Sequence, residues 1–159
     1  MVPQPDRPGW GVQVKNHMFP IVRRKVSKAM DLPREKGDVD SAKRLAFCTL
    51  DELEPFLEEL LIWLQDANWP VTRVVAPILA RFDARILPPI RRILATDDDI
   101  WKYWTLTEVV AKLKPSVREL LMEELRRLVE DPSPGERAEE VDCVAREILQ
   151  REWIETVPE

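Results

Sequence analysis

The amino-acid sequence predicts an all-α protein, on the strength of three observations. Hydrophobic residues make up 45% of the 159 residues and charged residues 33%, which is enough apolar material for a core. Only four glycines against 14 prolines, with few β-branched runs, favour helices that prolines interrupt. Apolar residues also recur at helical spacing, most clearly in the series Leu53, Phe56, Leu57, Leu60, Leu61 and Leu64.

The first 30 residues differ from the rest in composition and charge. They hold four prolines and six Lys/Arg against one acid, a net charge of +5, whereas the remainder holds 18 bases and 28 acids, a net charge of −10. We expect residues 1–30 to form a basic, Pro-rich, flexible leader and residues 31–155 to form a single compact helical domain. Met30 opens a segment that itself reads like a protein start, so we expect the compact domain to begin there.

The expected compartment is the cytoplasm. The leader lacks the apolar centre of a secretory signal, and Cys48 and Cys143 form no CxxC pair. We read both cysteines as small buried hydrophobes. No stretch reaches the roughly 18 apolar residues that a membrane span requires.

Helix ends can be placed along the first half of the domain. Asp40 or Ser41 is expected to cap a short helix that runs through Leu45 and Phe47, and Thr49 with Glu52 forms a capping box before the leucine series. Pro70 suits the first turn of the next helix, which runs toward Phe82. Each of these predicted helices is expected to bury one face. Ile62 and Trp63 lie outside the face formed by the leucine series.

Prolines and aspartates mark the elements that follow. Pro77 should kink or shorten its helix, and Pro88 with Pro89 should start the next one, whose inward residues are Ile90, Ile93 and Leu94. Three aspartates, Asp97 to Asp99, precede a segment from Ile100 to Leu113 that is apolar nearly all round. We place that helix centrally.

Two further helices are predicted before the C-terminus. Pro115 ends the central helix, and Ser116 with Glu119 is expected to form a capping box for the next. Ser133, Pro134 and Glu136 supply a cap, a first-turn proline and a box partner for a single last helix. The expected inward residues are Val117, Leu120, Leu121, Leu125 and Leu128 in the first of these helices, and Val141, Val144, Ala145, Ile148 and Leu149 in the second.

A faint internal repeat runs through the helical region. Trp69 with Val74, Val75 and Ala76 recurs 35 residues later as Trp104 with Val109, Val110 and Ala111. A period of about 35 residues with two helices per unit is typical of stacked helical hairpins. The sequence therefore predicts a HEAT-like stack of hairpins, an α-solenoid, and the alternative is an irregular helical bundle.

Four strings in order carry a family resemblance. They are LPREKGDVDSAKRL from Leu32, WLQDANWPV from Trp63, DDDIWKYW from Asp97 and PSPGERAEEVDCVAREIL from Pro132. With these strings, residues 32–151 resemble a bacterial family of small proteins, domain-of-unknown-function family 5071. The resemblance implies an all-helical, HEAT-like stack and no established activity, so it supplies no catalytic residues. The segment before Met30 has no counterpart in the family.

Several catalytic chemistries lack the residues that they need. The only histidine, His17, lies in the leader, so a Ser or Cys nucleophile has no histidine base in the helical domain. Zinc would need three or four His/Cys ligands, and a phosphate-binding loop would need a Gly-rich turn after a strand. We expect no catalytic residues, no metal and no cofactor.

Carboxylates are the one abundant reactive group. Asp97, Asp98 and Asp99 could offer oxygen ligands to Mg²⁺ or Ca²⁺, which leaves a carboxylate- or metal-dependent enzyme as an alternative. Consecutive acids at a helix start cannot all face one ion, so the simpler interpretation is one cap and two acids that favour the helix dipole. The pairs Glu123–Glu124 and Glu139–Glu140 are interpreted as solvated faces.

The tryptophan-rich strings define the candidate binding surface. Amphipathic aromatics beside acids make a good protein- or peptide-binding groove, because a tryptophan buries a large area and still offers an N–H donor. The alternative is that these aromatics fill the core and fix the turns. The candidate residues are Asp66, Asn68, Trp69, Asp98, Asp99, Trp101, Lys102, Tyr103 and Trp104.

The sequence thus favours a non-catalytic module that binds an unknown protein or peptide, and its acidic charge favours a basic partner. A toxin-neutralising immunity protein is a narrower alternative. A nucleic-acid binder would use the leader and an arginine stripe, but phosphates are repelled by an acidic domain, so neither nucleic acid nor a membrane is an expected partner. That stripe comprises Arg73, Arg81, Arg85, Arg91 and Arg92, for which solvation or pairing with acids is the simpler interpretation.

Overall fold

The computed structural model describes residues 31–155, with side chains through residue 151, and every regular element in this range is helical. The all-α prediction is therefore confirmed for these residues, whereas the predicted leader lies outside them. The α-helices are α1 (Val39–Leu45), α2 (Leu50–Leu53), α3 (Leu57–Leu61), α4 (Thr72–Leu79), α5 (Leu87–Leu94), α6 (Asp99–Glu108), α7 (Pro115–Arg118), α8 (Met122–Glu130), α9 (Pro134–Ala138) and α10 (Val141–Glu155). Short 3-10 segments lie at Glu54–Phe56, Ile62–Gln65, Ala84–Ile86, Val110–Lys112 and Glu119–Leu121.

The first helix begins earlier than the sequence predicted. Asp38, not Asp40 or Ser41, is the N-cap, and its carboxylate accepts the Ser41 backbone N–H at 3.2 Å. The Ser41 hydroxyl instead accepts a hydrogen bond from the Arg44 guanidinium at 2.8 Å. The helix ends at Leu45, so Phe47 lies beyond it and is 90% exposed.

The leucine series is divided into short turns rather than one long helix. The capping box of Thr49 and Glu52 is confirmed, with both of its hydrogen bonds present. A 3-10 segment follows α2 because Pro55 lacks the N–H that would continue the α-helical pattern. The predicted burial is confirmed for Leu53, Leu57, Leu60, Leu61 and Leu64, while Phe56 is half-buried. Trp63, off the leucine face, is nevertheless buried.

Prolines shape the next two helices. Helix α4 begins at Thr72 instead of Pro70, and the Thr72 hydroxyl lies 2.5 Å from the Trp63 carbonyl, to which it donates. As predicted for an internal proline, α4 is short and ends at Leu79, two residues after Pro77. The two prolines in the first turn of α5 are also confirmed.

The C-terminal half departs from prediction at several places, and the central helix ends at Glu108 instead of Leu113. Ser116 forms no capping box, because Pro115 takes the first helical position and holds Lys114, the actual N-cap, in an extended conformation. Leu120, predicted to face inward, is 52% exposed in a 3-10 segment. The predicted last helix is two helices, since Glu140 between α9 and α10 has φ 58°. The box of Ser133 and Glu136 is confirmed.

Helix α6 occupies the middle of the packing. It contacts α5, α10 and the 3-10 segment Ile62–Gln65, while α10 packs on α8. Several side chains bond across a nearly constant separation: Arg85 to Asp51 and Lys102 to Glu136 both span 34 residues. Such an offset is expected when similar hairpins stack. The HEAT-like stack itself stays a prediction, and a helical bundle remains compatible with these contacts.

Candidate binding groove beside α6

Helix α6 buries one face and presents another to a groove. Asp98 caps it by accepting the Trp101 backbone N–H at 3.0 Å. Trp101, Thr105 and Leu106 lie in the core. On the opposite side Ile100 is 48% exposed, and Tyr103 and Trp104 are half-buried. The helix therefore has an apolar, partly aromatic face that no described element covers completely.

Two adjoining depressions follow this face, with volumes of about 320 and 330 Å³. We call them together the α6–α10 groove. Each lies at the lower end of the range for small-molecule sites. Tyr103 and Glu140 line both depressions. The other lining residues are Thr107, Ala111, Lys112, Cys143, Val144, Glu147, Ile148 and Arg151 in the first, and Ile100, Trp104, Ala138 and Glu139 in the second.

The aromatic rings of Tyr103 and Trp104 pack against each other beside the groove. The ring centroids of Tyr103 and Trp104 are 4.9 Å apart and the rings meet edge to face at 84°. This geometry is favourable because the positive edge of one ring meets the negative face of the other. The pair therefore offers a preorganised amphipathic surface beside the exposed side chain of Ile100.

Carboxylates dominate the charge of the groove. Three exposed glutamates line the groove, and none of them forms an ion pair within the described residues. They are Glu139, Glu140 and Glu147. Lys112, by contrast, is paired with Glu108 at 2.7 Å. The negative charge of these three acids is thus available to a ligand, with Arg151 as a positive group on the first depression.

The backbone at Glu140 is unusual. It is the one non-glycine residue with positive φ between residues 31 and 155. The position follows the C-cap of α9, where the left-handed conformation commonly ends a helix and where glycine is preferred. The turn places Glu140 between the two depressions. The strained residue therefore lines both of them, as Tyr103 does.

Asp99 and Lys102 belong to a buried ionic cluster and not to the groove. The Lys102 Nζ atom lies 2.8 Å from Asp99 Oδ1 and 2.7 Å from Glu136 Oε1, and Lys102 is only 4% exposed. Arg127 donates two hydrogen bonds to Glu136, at 2.7 and 2.9 Å. The cluster ties α6, α8 and α9 together.

Burial and charge act in opposite directions on the pKa of Glu136. Burial alone would raise the pKa, but Arg127, Lys102 and the Ser133 backbone N–H together lower it to about 2. The carboxylate is therefore held ionised. Gly135 touches the same cluster, since a methyl group added there would overlap the Asp99 carboxylate. A larger residue at this position would require the Asp99 carboxylate to move.

The remaining predicted residues have local structural contacts. Trp101 is 2% exposed and its indole N–H donates to the Leu61 carbonyl at 2.9 Å. Asp66 accepts the Asn68 backbone N–H at 2.8 Å in an Asx turn. Trp69 is half-buried, edge to face with Trp63 at 5.9 Å.

The structure thus divides the predicted surface. Tyr103 and Trp104 line the groove, while Asp66, Asn68, Trp69, Asp98, Asp99, Trp101 and Lys102 line neither depression. Sequence reasoning missed Glu140 and Glu147 as groove residues, and Glu139 with Glu140 was interpreted only as a solvated face. A break between α9 and α10, which would have drawn attention to Glu140, had no glycine or proline to signal it. Cys143 was expected to be buried but is exposed on the first depression.

The described residues offer neither a metal-binding cluster nor a membrane-spanning helix. Within the described part of the chain, no group of three or more His, Cys, Asp or Glu residues could hold a metal ion. Asp98 is engaged as a helix cap and Asp99 with Lys102. None of the described helices is long and apolar enough to cross a bilayer.

Comparison with known sequences places the chain in a family. No curated protein shows significant sequence similarity to it. A family model described as a domain of unknown function, DUF5071, matches residues 31–149, which is most of the chain and nearly all of the described helical region. This match confirms the resemblance that the four sequence strings indicate. The chain belongs to the DUF5071 family.

Proposed function

We propose that this protein is a non-catalytic binding module whose ligand is a segment of another protein, held in the α6–α10 groove. One observation carries the proposal: an edge-to-face aromatic pair and an exposed isoleucine lie next to carboxylates that form no ion pair with any described residue. Aromatic anchors surrounded by polar groups are the usual source of binding energy in protein interfaces. The residues are Ile100, Tyr103, Trp104, Glu139 and Glu140.

The shape of the groove favours a peptide segment over a small metabolite. Its two depressions adjoin along α6, so a ligand that fills both must be elongated. Helix α6 supplies aromatic and aliphatic side chains to the groove, and the adjoining α9–α10 turn supplies acidic ones. An extended segment with an apolar side chain and a basic side chain would be complementary to these groups.

The arginine stripe supports this choice over nucleic-acid binding. Arg85 bonds Asp51, Glu54 and Asp83, and Arg91 bonds Glu124. Arg92 pairs with Glu58, and Arg81 donates to the carbonyls of Ala46 and Cys48. Guanidinium groups engaged in this way are poorly placed to neutralise phosphates. A toxin-neutralising immunity protein would be a special case of the binding proposal, distinguished by the identity of its partner.

A display experiment tests the proposal directly. Random 12-residue peptides on phage would be selected against the full chain, and the recovered peptides would be titrated against two variants, Ile100→Lys and Leu120→Lys. Leu120 is the matched control because it is 52% exposed, close to the 48% of Ile100, and lies outside the groove.

The two variants separate the outcomes. We expect peptides to be enriched, to bind the Leu120→Lys variant as they bind the natural chain, and to lose roughly tenfold or more in affinity for Ile100→Lys. No enrichment above an unrelated control protein would refute the binding module. Equal affinity for both variants would place the binding site elsewhere.

A further inference from the structure

Glu140 combines a conformational cost with a central position. A side chain beyond glycine is disfavoured at positive φ because Cβ approaches the backbone carbonyl. At the end of α9 the Glu139 N–H bonds the Gly135 carbonyl at 3.0 Å, and the Glu140 N–H bonds the Arg137 carbonyl at 3.2 Å. Glycine would fulfil the same role in the turn without the cost.

The carboxylate of Glu140 does not compensate for that cost within the fold. It is exposed, and no hydrogen bond or ion pair of its side chain is found within the described residues. Strained residues cluster at ligand sites, where binding is a reason to keep a side chain that glycine could replace. The location of Glu140 between the two depressions, both of which it lines together with Tyr103, gives such a reason.

We propose that Glu140 is the specificity-determining residue of the groove and that it recognises an arginine or lysine side chain of the bound segment. The cation would form an ion pair with the carboxylate and lie against the Tyr103 ring, while an apolar neighbour in the segment packs on Trp104 and Ile100. Two interactions select the cation, an ion pair and a cation–π contact. Glu139 adds negative potential in the second depression, which no described cation lines, whereas Glu147 shares the first with Lys112 and Arg151. This inference rests on the proposed function and names the chemistry of its ligand.

The test uses the full chain and matched synthetic peptides. An array of 12-residue peptides would carry one arginine flanked by leucine or tryptophan in a Gly/Ser background, and each arginine would be replaced by citrulline in a partner peptide. Citrulline keeps the shape of the side chain and removes its charge. The protein variants are Glu140→Gly, Glu140→Gln and, as a control for charge alone, Glu123→Gln on the exposed side of α8.

The Glu140→Gly substitution should weaken the recognition of arginine and raise the thermal stability. We expect the natural chain to prefer arginine over citrulline by roughly tenfold, and both Glu140 variants to lose that preference. Relief of the positive φ should at the same time raise the melting temperature of Glu140→Gly by roughly 2–4 °C. Glu123→Gln should keep both the preference and the melting temperature of the natural chain.

Each contrary result has a distinct meaning. If Glu140→Gly kept the arginine preference, the inference would be wrong, while the proposed function would stand as long as Ile100→Lys still abolished peptide binding. A lower melting temperature for Glu140→Gly would assign Glu140 a role in the fold and overturn the inference. Free agmatine binding as tightly as the peptides would overturn the assignment to a protein segment. Failure of every peptide to bind would overturn both proposals.

Discussion

Replacing Glu136 by glutamine should destabilise the helical domain by about 3 kcal/mol at neutral pH. The Glu136 side chain is 2% exposed, and each of its two oxygens accepts two hydrogen bonds. The donors are Lys102 Nζ, two nitrogens of Arg127 and the Ser133 backbone N–H. Glutamine would turn an NH₂ group toward two of these donors in either orientation of its amide. It would also leave Lys102 with Asp99 as its one anionic partner in the cluster.

The size of the effect follows from the pKa of Glu136. Its fall from 4.5 to about 2 means that the folded protein prefers the ionised carboxylate. Each unit of this difference corresponds to roughly 1.4 kcal/mol, which gives about 3 kcal/mol in total. The loss expected when one partner of a buried ion pair is removed, about 3–5 kcal/mol, is similar. Domains of this size are stable by only about 5–15 kcal/mol, so the change is readily measured.

The same pKa fixes the direction of the pH dependence. Because folding lowers the pKa, the stabilisation is complete above about 4.5 and is lost as the pH falls toward 2. The difference in unfolding free energy between the natural chain and Glu136→Gln should therefore be near 3 kcal/mol at pH 7 and shrink through that interval. Glu123→Gln, an exposed change on α8, should show little difference at any pH.

Urea unfolding followed by tryptophan fluorescence measures these differences. The unfolding free energies of the three proteins would be compared at pH 7, 5, 4 and 3. A difference below about 1 kcal/mol at pH 7, the size of a surface ion pair, would refute the buried-cluster explanation. So would a difference that does not change between pH 5 and pH 3.

Three further predictions concern other contacts of the helical domain. Gly135→Ala should cost about 1–3 kcal/mol, because the new methyl group meets the Asp99 carboxylate, and thermal unfolding would detect the loss. Trp101→Phe should cost about 1–3 kcal/mol in urea unfolding, since it removes the donor to the buried Leu61 carbonyl; an unchanged midpoint would contradict that role. Arg85→Ala should cost at most about 1 kcal/mol despite its three carboxylate partners, because they are exposed, and the cost should fall further in 1 M salt.

Local signals in the sequence were reliable where the interacting groups lie within one helical turn. The capping boxes of Thr49 and Ser133 join residues three apart, so they could be identified without any tertiary information. The buried leucines of the first helices followed from periodicity for the same reason. The capping box predicted at Ser116 was wrong because Pro115, the residue before it, occupies the first position of the helix. Two local preferences conflicted there.

Burial of the aromatic and charged residues could not be predicted in this way. Trp101 and Trp104 lie in one helix and look alike in the sequence, yet Trp101 is in the core and Trp104 lines the groove. Which one is covered depends on the segments packed against α6, and these come from about 35–40 residues away in the chain. Of the residues predicted from the sequence, Tyr103 and Trp104 line the groove, whereas Lys102 is buried.

Spacing along the chain was enough to predict the helical class and two capping boxes, and four sequence strings were enough to identify the family. Tertiary structure alone decided the Lys102–Glu136 cluster and the α6–α10 groove. The cluster requires α8 and α9 to bring an acid and an arginine to α6. The groove requires α10 to pack beside α6 after a left-handed residue, Glu140, that no glycine signalled. Lys102 and Glu136 lie 34 positions apart, and at such a separation the free energy of packing, and not local preference, selects the neighbours.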